Sequence, residues 1–89
     1  MAQNLYFIEY TDTYGGEANY SWVRRLYVKA SSETGAIRKA RKYWGHTARI
    51  RKDWHTGDCA RYNVQGQSVC YFVNWIDSPD DVGYECEII

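Results

Sequence analysis

Two segments near the amino terminus have the residue pattern of β-strands. Residues 4–10 and 20–30 are rich in aromatic and β-branched residues, which favour strands. The segment between them, residues 11–16, contains an aspartate that can start a turn and a Gly-Gly pair that tolerates positive φ. These features predict a β-hairpin at the start of the chain.

The next segment has the periodicity of an amphipathic helix. At 100° per residue, one arc of the helix is apolar, with Ala36, Ile37, Ala40, Tyr43 and Trp44. The opposite arc is cationic, with Arg38, Lys39, Arg41 and Lys42. Ser31 or Ser32 is suited to cap the helix, and Gly45 is suited to end it. Glu33 would lie in the first turn, where a negative charge is favourable. We expect a helix that packs through one arc and exposes four cations on the other.

After this helix the pattern returns to strands. Further strands are predicted over residues 47–54, 58–64, 67–76 and 83–88. In the first of them, Ala48 and Ile50 would face inward and the two arginines that alternate with them outward. Gln65-Gly66 and the Ser-Pro-Asp-Asp run at 78–81 are predicted turns.

The order of these elements is ββαβββ(β). It predicts an α+β fold, in which an antiparallel β-sheet of five to six strands carries one amphipathic helix packed on one face. At 89 residues the chain is expected to form a single domain, residues 1–89.

The second face of this sheet needs a cover. The strands at residues 4–10 and 67–76 are apolar on both faces, whereas one helix covers only one face. No remaining segment looks long enough to cover the other. A sheet that curls over itself, a homodimer and a partner protein are the open alternatives.

The charges are sorted along the chain. All eleven Lys and Arg residues lie between Arg24 and Arg61, and the acidic residues concentrate in the two flanks. Seven of the cations, on the helix and the strand after it, form a candidate binding surface for phosphates or acidic protein: Arg38, Lys39, Arg41, Lys42, Arg49, Arg51 and Lys52. The alternative is that the acidic flanks fold back and neutralise them.

The sequence gives little support for catalysis or for a metal site. It lacks the common nucleophile, zinc-protease and phosphate-loop motifs. Cys59 and His55 are close in sequence, but a buried structural thiol is the simpler interpretation. Zinc-compatible residues at 46–59 lack paired short spacings. We therefore expect no enzymatic activity, no cofactor and no metal.

The cysteine count and the hydropathy pattern bear on location. Three cysteines without a CxxC pair favour reduced thiols in a cytosol. The amino terminus lacks the pattern of a signal peptide, and no apolar stretch reaches transmembrane length. We expect a cytoplasmic protein that does not enter a membrane.

One run of residues carries a resemblance to a known group of proteins. It extends from Val28-Lys29-Ala30-Ser31-Ser32 through Ala36 and Ala40 to Gly45-His46-Thr47 and Arg49-Ile50. The run resembles small phage and prophage proteins, among them anti-CRISPR inhibitors of type I surveillance complexes. These inhibitors include α+β proteins that pair a curved sheet with one helix. The resemblance covers roughly residues 22–75 and departs at the acidic carboxyl end and the Tyr-rich first hairpin.

The resemblance implies a phage-encoded, non-enzymatic inhibitor that docks on a host nucleic-acid-targeting complex in the host cytoplasm. It implies that exposed aromatic residues anchor the interface with a host protein or nucleoprotein, and the candidates are Tyr6, Tyr10, Tyr20 and Trp22. Two alternatives remain. One is a nucleic-acid-binding module that uses the basic helix face, although the RRM, KH and zinc-finger signatures are absent. The other is a structural homodimer.

Overall fold

The computed structural model describes residues 3–89, which form the predicted α+β architecture of an antiparallel sheet with one helix packed on it. The elements are β1 (Asn4–Tyr14), β2 (Glu17–Ala30), α1 (Glu33–Trp44), β3 (Ile50–Thr56), β4 (Cys59–Val64) and β5 (Val69–Ile76). A short 3-10 helix (Pro79–Asp81) follows. The strand order is β2-β1-β5-β4-β3, so β1 and β5 are central.

Some predicted strand boundaries are wrong. The first hairpin is longer than predicted, since β1 continues to Tyr14 and β2 begins at Glu17. The predicted strand over residues 83–88 is not a strand. Only its end pairs with a strand, where Ile88 forms a parallel bridge to Tyr27 on the outer edge of β2. The alternation of residues 83–88 resembled a strand, but the 3-10 helix before it redirects the chain across the sheet.

The two helix caps agree with the sequence. Ser32 accepts a hydrogen bond from the backbone N–H of Gly35, at 3.0 Å. Gly45 has a φ of 76°, and its N–H bonds to carbonyls of the last helical turn. A side chain at this backbone conformation would be strained, which is why glycine ends the helix.

The helix buries a narrower arc than its periodicity predicted. Ala36, Ile37 and Ala40 are buried against the sheet, but Tyr43 is 51% exposed. Because the two alanines are small and central, the helix lies close to the sheet and the margin of the apolar arc stays in solvent. At the other margin, the Arg41 side chain is partly buried and donates a hydrogen bond to the Ala48 carbonyl. The prediction that Arg41 lies on the solvent side is therefore wrong.

The main hydrophobic core lies between α1 and the sheet. It includes the three buried helix residues and side chains from four strands: Tyr6, Ile8, Leu26, Val28, Ala30, Ala60, Tyr62, Val64, Tyr71 and Val73. No helix in residues 3–89 is long and apolar enough to cross a membrane.

The first hairpin bends over the second face of the sheet. The pairing of β1 with β2 is irregular between Thr11 and Thr13, and the Asp12 carboxylate between them accepts hydrogen bonds from Ser21 and Asn19. Beyond this bend, Tyr20 adopts a positive φ of 53° and stacks on Phe72, with ring centroids 6.4 Å apart. The hairpin end therefore covers part of the face opposite the helix.

The carboxyl-terminal segment covers the other end of this face. Tyr84 stacks on Phe7 with ring planes 3° apart, and the Tyr27 hydroxyl donates a hydrogen bond to the Tyr84 carbonyl. Phe7 is only 3% exposed as a result. Of the alternatives for the second face, the structure shows self-coverage. The expectation that no remaining segment could do this is wrong, because two short segments share the task.

We predict that the Tyr84→Ala substitution lowers the free energy of unfolding by about 1–2 kcal/mol. The variant loses the stack on Phe7 and the Arg25 guanidinium, which lies 3.9 Å from the centre of the Tyr84 ring. Urea unfolding followed by circular dichroism measures the change. Tyr14→Ala is the control, since Tyr14 is 83% exposed and should change stability by no more than about 0.5 kcal/mol. Equal effects of the two substitutions would contradict this role for the carboxyl-terminal segment.

Candidate basic groove

A groove with cationic walls lies between α1 and the edge strand β3. Its volume is about 480 Å³. Ile37 and Ile50 form an apolar floor, and Arg38, Arg41 and Lys42 line the helix side. None of the lining residues in the described chain is acidic. We call this feature the basic groove.

Arg41 links the helix side of the basic groove to the connection between α1 and β3. It is anchored by its hydrogen bond to Ala48, in the connection that leads to β3. Its Nε atom is buried and has no hydrogen-bond partner within residues 3–89. The guanidinium also lies 6.0 Å from the centre of the Tyr71 ring. Arg41 therefore places a fixed positive charge at the base of the groove, while Arg38 and Lys42 are exposed above it.

The carboxylate of Glu33, in the first turn of α1, neutralises the charge of Lys52. Its Oε2 atom lies 2.8 Å from Lys52 Nζ and accepts a hydrogen bond from the Tyr62 hydroxyl. Burial would raise the pKa of Glu33, but the hydrogen bonds from Lys52 and Tyr62 outweigh it and lower the pKa. His55 Nε2 lies 3.7 Å from the other carboxylate oxygen. Lys52 is thus paired with Glu33, although its side chain remains 42% exposed.

The seven predicted cations do not form one surface. Arg38, Lys39 and Lys42 are exposed on the helix, and Lys39 Nζ donates to the Lys29 carbonyl at 3.2 Å. Arg49 and Arg51 are exposed as predicted. Because side chains alternate along a strand, these two arginines project away from the side on which Ile50 meets the core. Of the seven, Arg38, Arg41 and Lys42 line the basic groove.

The acidic carboxyl end does not neutralise the basic groove. This segment stacks on the sheet face opposite the helix, and its last residues hydrogen-bond to the edge of β2. The basic groove lies on the other face, beside β3 at the opposite edge of the sheet. In the described chain, the Lys and Arg residues in ion pairs are Arg25, Lys52 and Arg61. The cations of the basic groove are not among them.

An aromatic cluster closes the carboxyl-terminal end of the groove. Its members contact one another with ring centroids 4.6–6.4 Å apart: Tyr10, Trp22, Trp44, His46 and Tyr71. His46 Nδ1 lies 2.6 Å from the Tyr71 hydroxyl. Burial lowers the pKa of His46, and the charges of Arg41 and Arg24 lower it further. The neutral imidazole is therefore favoured.

The four predicted aromatic anchors do not form one interface. Tyr6 is 5% exposed and belongs to the core, so its prediction as an exposed anchor is wrong. Tyr10 is partly buried within the aromatic cluster. Trp22 is 43% exposed and contacts Tyr10, whereas Tyr20 lies across the opposite face on Phe72. Sequence alternation could not distinguish these positions, because both faces of the sheet are covered.

The thiol and imidazole groups are not arranged for nucleophilic chemistry. Burial raises the pKa of the Cys59 thiol, and the nearby Glu33 and Glu9 carboxylates raise it further. The His55 ring instead contacts the Gly57 carbonyl at 3.0 Å. In residues 3–89, no group of three or more His, Cys, Asp or Glu side chains is placed to hold a metal ion.

The groove residues that the sequence analysis missed are apolar or part of turns. Ile37 and Ile50 were predicted to be core, and the core does include Ile37. Their role as a groove floor depends on the gap between α1 and β3, which no local pattern reports. Comparison of the chain with family models, curated proteins and solved structures gives no match.

We predict that His46 makes the protein less stable as the pH falls. Its folded pKa is lowered, so below about pH 6.5 the unfolded chain takes up the proton first and stability declines. The decline should continue until the pH falls below the folded pKa. Urea unfolding at pH 7.5 and at about pH 5.5 measures the difference between the two stabilities.

The control for this prediction is a comparison of the two histidines. His46→Gln should reduce the loss of stability between these two pH values, whereas His55→Gln should retain it, since His46 is still present. NMR titration of the His46 ring should give a pKa below 6.5. A value at or above the ordinary value would contradict the structural explanation.

Proposed function

We propose that this protein is a small, non-enzymatic binding protein that attaches through the basic groove to the nucleic acid of a nucleic-acid-targeting complex and inhibits that complex. The single observation that carries the proposal is the unneutralised cationic wall formed by Arg38, Arg41 and Lys42 over an apolar floor. The acidic segments of the same chain fold elsewhere and leave this wall accessible.

The basic groove has features suited to a phosphate backbone. Arg38 and Lys42 are exposed side chains that can reach phosphates without breaking an internal ion pair. Arg41 is held in place by the Ala48 carbonyl and supplies a fixed charge that costs no side-chain ordering on binding. Neutralising phosphates releases counterions, so such binding is strongest at low salt.

The resemblance to phage inhibitors extends this proposal to a biological role. An inhibitor that occupies a nucleic-acid path needs no catalytic group, and the Cys59 thiol, whose pKa is raised, offers no activated nucleophile. All three cysteines are free, which is consistent with action in a host cytoplasm. The aromatic residues expected to anchor a protein interface are divided between the core and opposite faces, so direct contact with nucleic acid is the better-supported mode.

We predict that the protein binds short mixed-sequence nucleic acid and that binding weakens steeply with salt. Two or three phosphate contacts would lower the affinity for a duplex by about 10–40-fold, and for a single strand by about 7–20-fold, between about 50 and 200 mM salt. Fluorescence anisotropy with a labelled single strand and a labelled duplex measures both affinity and slope. Lys42→Gln and Arg38→Gln should each reduce the salt slope by about 1.

Lys29→Gln is the matched control for these substitutions. Lys29 is exposed, and alternation along β2 directs its side chain to the face away from the helix. The Lys29→Gln substitution removes the same charge as Lys42→Gln and should leave the salt slope of binding unchanged. Equal losses for Lys29→Gln and Lys42→Gln would mean that net charge, rather than the groove, drives binding. Absence of binding to both probes at about 50 mM salt would overturn the nucleic-acid mode and favour an acidic protein surface as the partner.

A further inference from the structure

The aromatic cluster beside the basic groove includes one ring that is open to solvent. Tyr10 and Trp44 of this cluster pack against the hydrophobic core, whereas Trp22 is 43% exposed. The Trp22 ring contacts the Tyr10 ring with centroids 5.2 Å apart and an interplanar angle of 57°. One side of the indole is therefore held by packing while the rest of its surface is accessible. A ligand that uses this surface has little side-chain entropy to overcome, because the ring is already in place.

A small cavity connects Trp22 with the basic groove. The cavity has a volume of about 150 Å³, and His46 and Thr47 line both it and the basic groove. Tyr10 lines the cavity as well. The Tyr10 ring lies 4.6 Å from the His46 ring and 5.2 Å from the Trp22 ring, measured between centroids. A single ring thus separates the exposed indole from a residue that lines the basic groove.

An exposed cation lies next to Trp22 on the same face of the sheet. Arg24 is directly opposite Tyr10 in the pairing of β1 with β2, and side chains opposite each other point to the same face. Burial lowers the pKa of His46, and the charge of Arg24 contributes to this shift, so its positive potential reaches the edge of the basic groove. Within residues 3–89, Arg24 is not among the cations in ion pairs. The Asp12 carboxylate of the same hairpin is instead bound by Ser21.

We propose that Trp22 stacks on an unpaired base of a single strand whose phosphates lie on Arg24 and in the basic groove. Proteins that bind single strands without sequence preference combine a cationic groove for the backbone with aromatic rings on which bases stack. The bases of a duplex already stack on one another, so the face of a base is accessible to an indole only in a single strand. The inference rests on the function proposed above, because the basic groove holds the phosphates, but it adds a contact that the basic groove lacks and names the form of nucleic acid.

The test compares two labelled strands that carry the same number of phosphates, an oligothymidylate and an abasic strand. Fluorescence anisotropy with the full-length protein should show about tenfold tighter binding of the oligothymidylate, since only this strand can stack a base. Trp22→Leu keeps an apolar contact with Tyr10 but has no ring, so it should remove this difference. The salt slope should stay unchanged in this variant, because no phosphate contact is lost. Trp22→Phe should keep most of the difference between the two strands.

Trp54→Leu is the matched control for the loss of an indole. Trp54 is 39% exposed, and its ring contacts Phe72 on the opposite face of the sheet, so this variant should bind both strands as the unsubstituted protein does. Thermal unfolding confirms that all variants are folded. The inference is overturned if the two strands bind equally or if Trp22→Leu keeps the difference between them, and salt-dependent binding of the abasic strand would then still support the proposed function. Absence of binding to both strands at about 50 mM salt would overturn the inference and the proposed function together.

Discussion

The need to cover both faces of β1 governs this structure. This strand lies between β2 and β5 near the middle of the sheet. On one face Tyr6 and Ile8 meet the helix, and on the other Phe7 and Thr11 are equally buried. A single helix covers one face only, so the remaining cover has to come from segments with little regular structure. The bent hairpin supplies Tyr20 and the carboxyl-terminal segment supplies Tyr84. Burying apolar area on two faces is also how a chain of 89 residues obtains enough hydrophobic stabilisation to fold.

This solution also separates the charges in space. The helix carries Arg38, Lys39 and Lys42 on the side away from the sheet, because its inner side is filled by Ala36, Ile37 and Ala40. The acidic carboxyl-terminal segment has to lie on the opposite face, because that is where Phe7 and Tyr27 need a cover. The acidic carboxyl-terminal segment therefore lies on the sheet face opposite the exposed cations of the helix. Folding back of the acidic flanks, the alternative raised from the sequence, neutralises Arg25 through Glu9 but does not reach the basic groove.

The features that could be predicted from the sequence are those determined within a few residues. The caps at Ser32 and Gly45 are local, and so is the periodicity that buries Ala36 and Ala40. The features that could not be predicted depend on segments far apart in sequence. Arg41 is drawn inward by a carbonyl in the following loop. The expectation that Tyr6 is an exposed anchor was wrong, because both faces of β1 are covered and alternation no longer separates inside from outside.

In the candidate sites, too, the local features could be predicted and the features that join distant segments could not. The cations of the helix were predicted as a binding surface, and three of them line the basic groove. Arg49, Arg51 and Lys52 do not belong to this surface. The register of β3 turns the two arginines away from the groove, and Lys52 is paired with Glu33. A groove of about 690 Å³ beside the end of β5 had no local signal in the sequence, because it joins the turn before β4, the end of β5 and the carboxyl-terminal segment. Its existence follows from the path of that segment, which leaves the sheet at residue 77 and returns to the edge of β2.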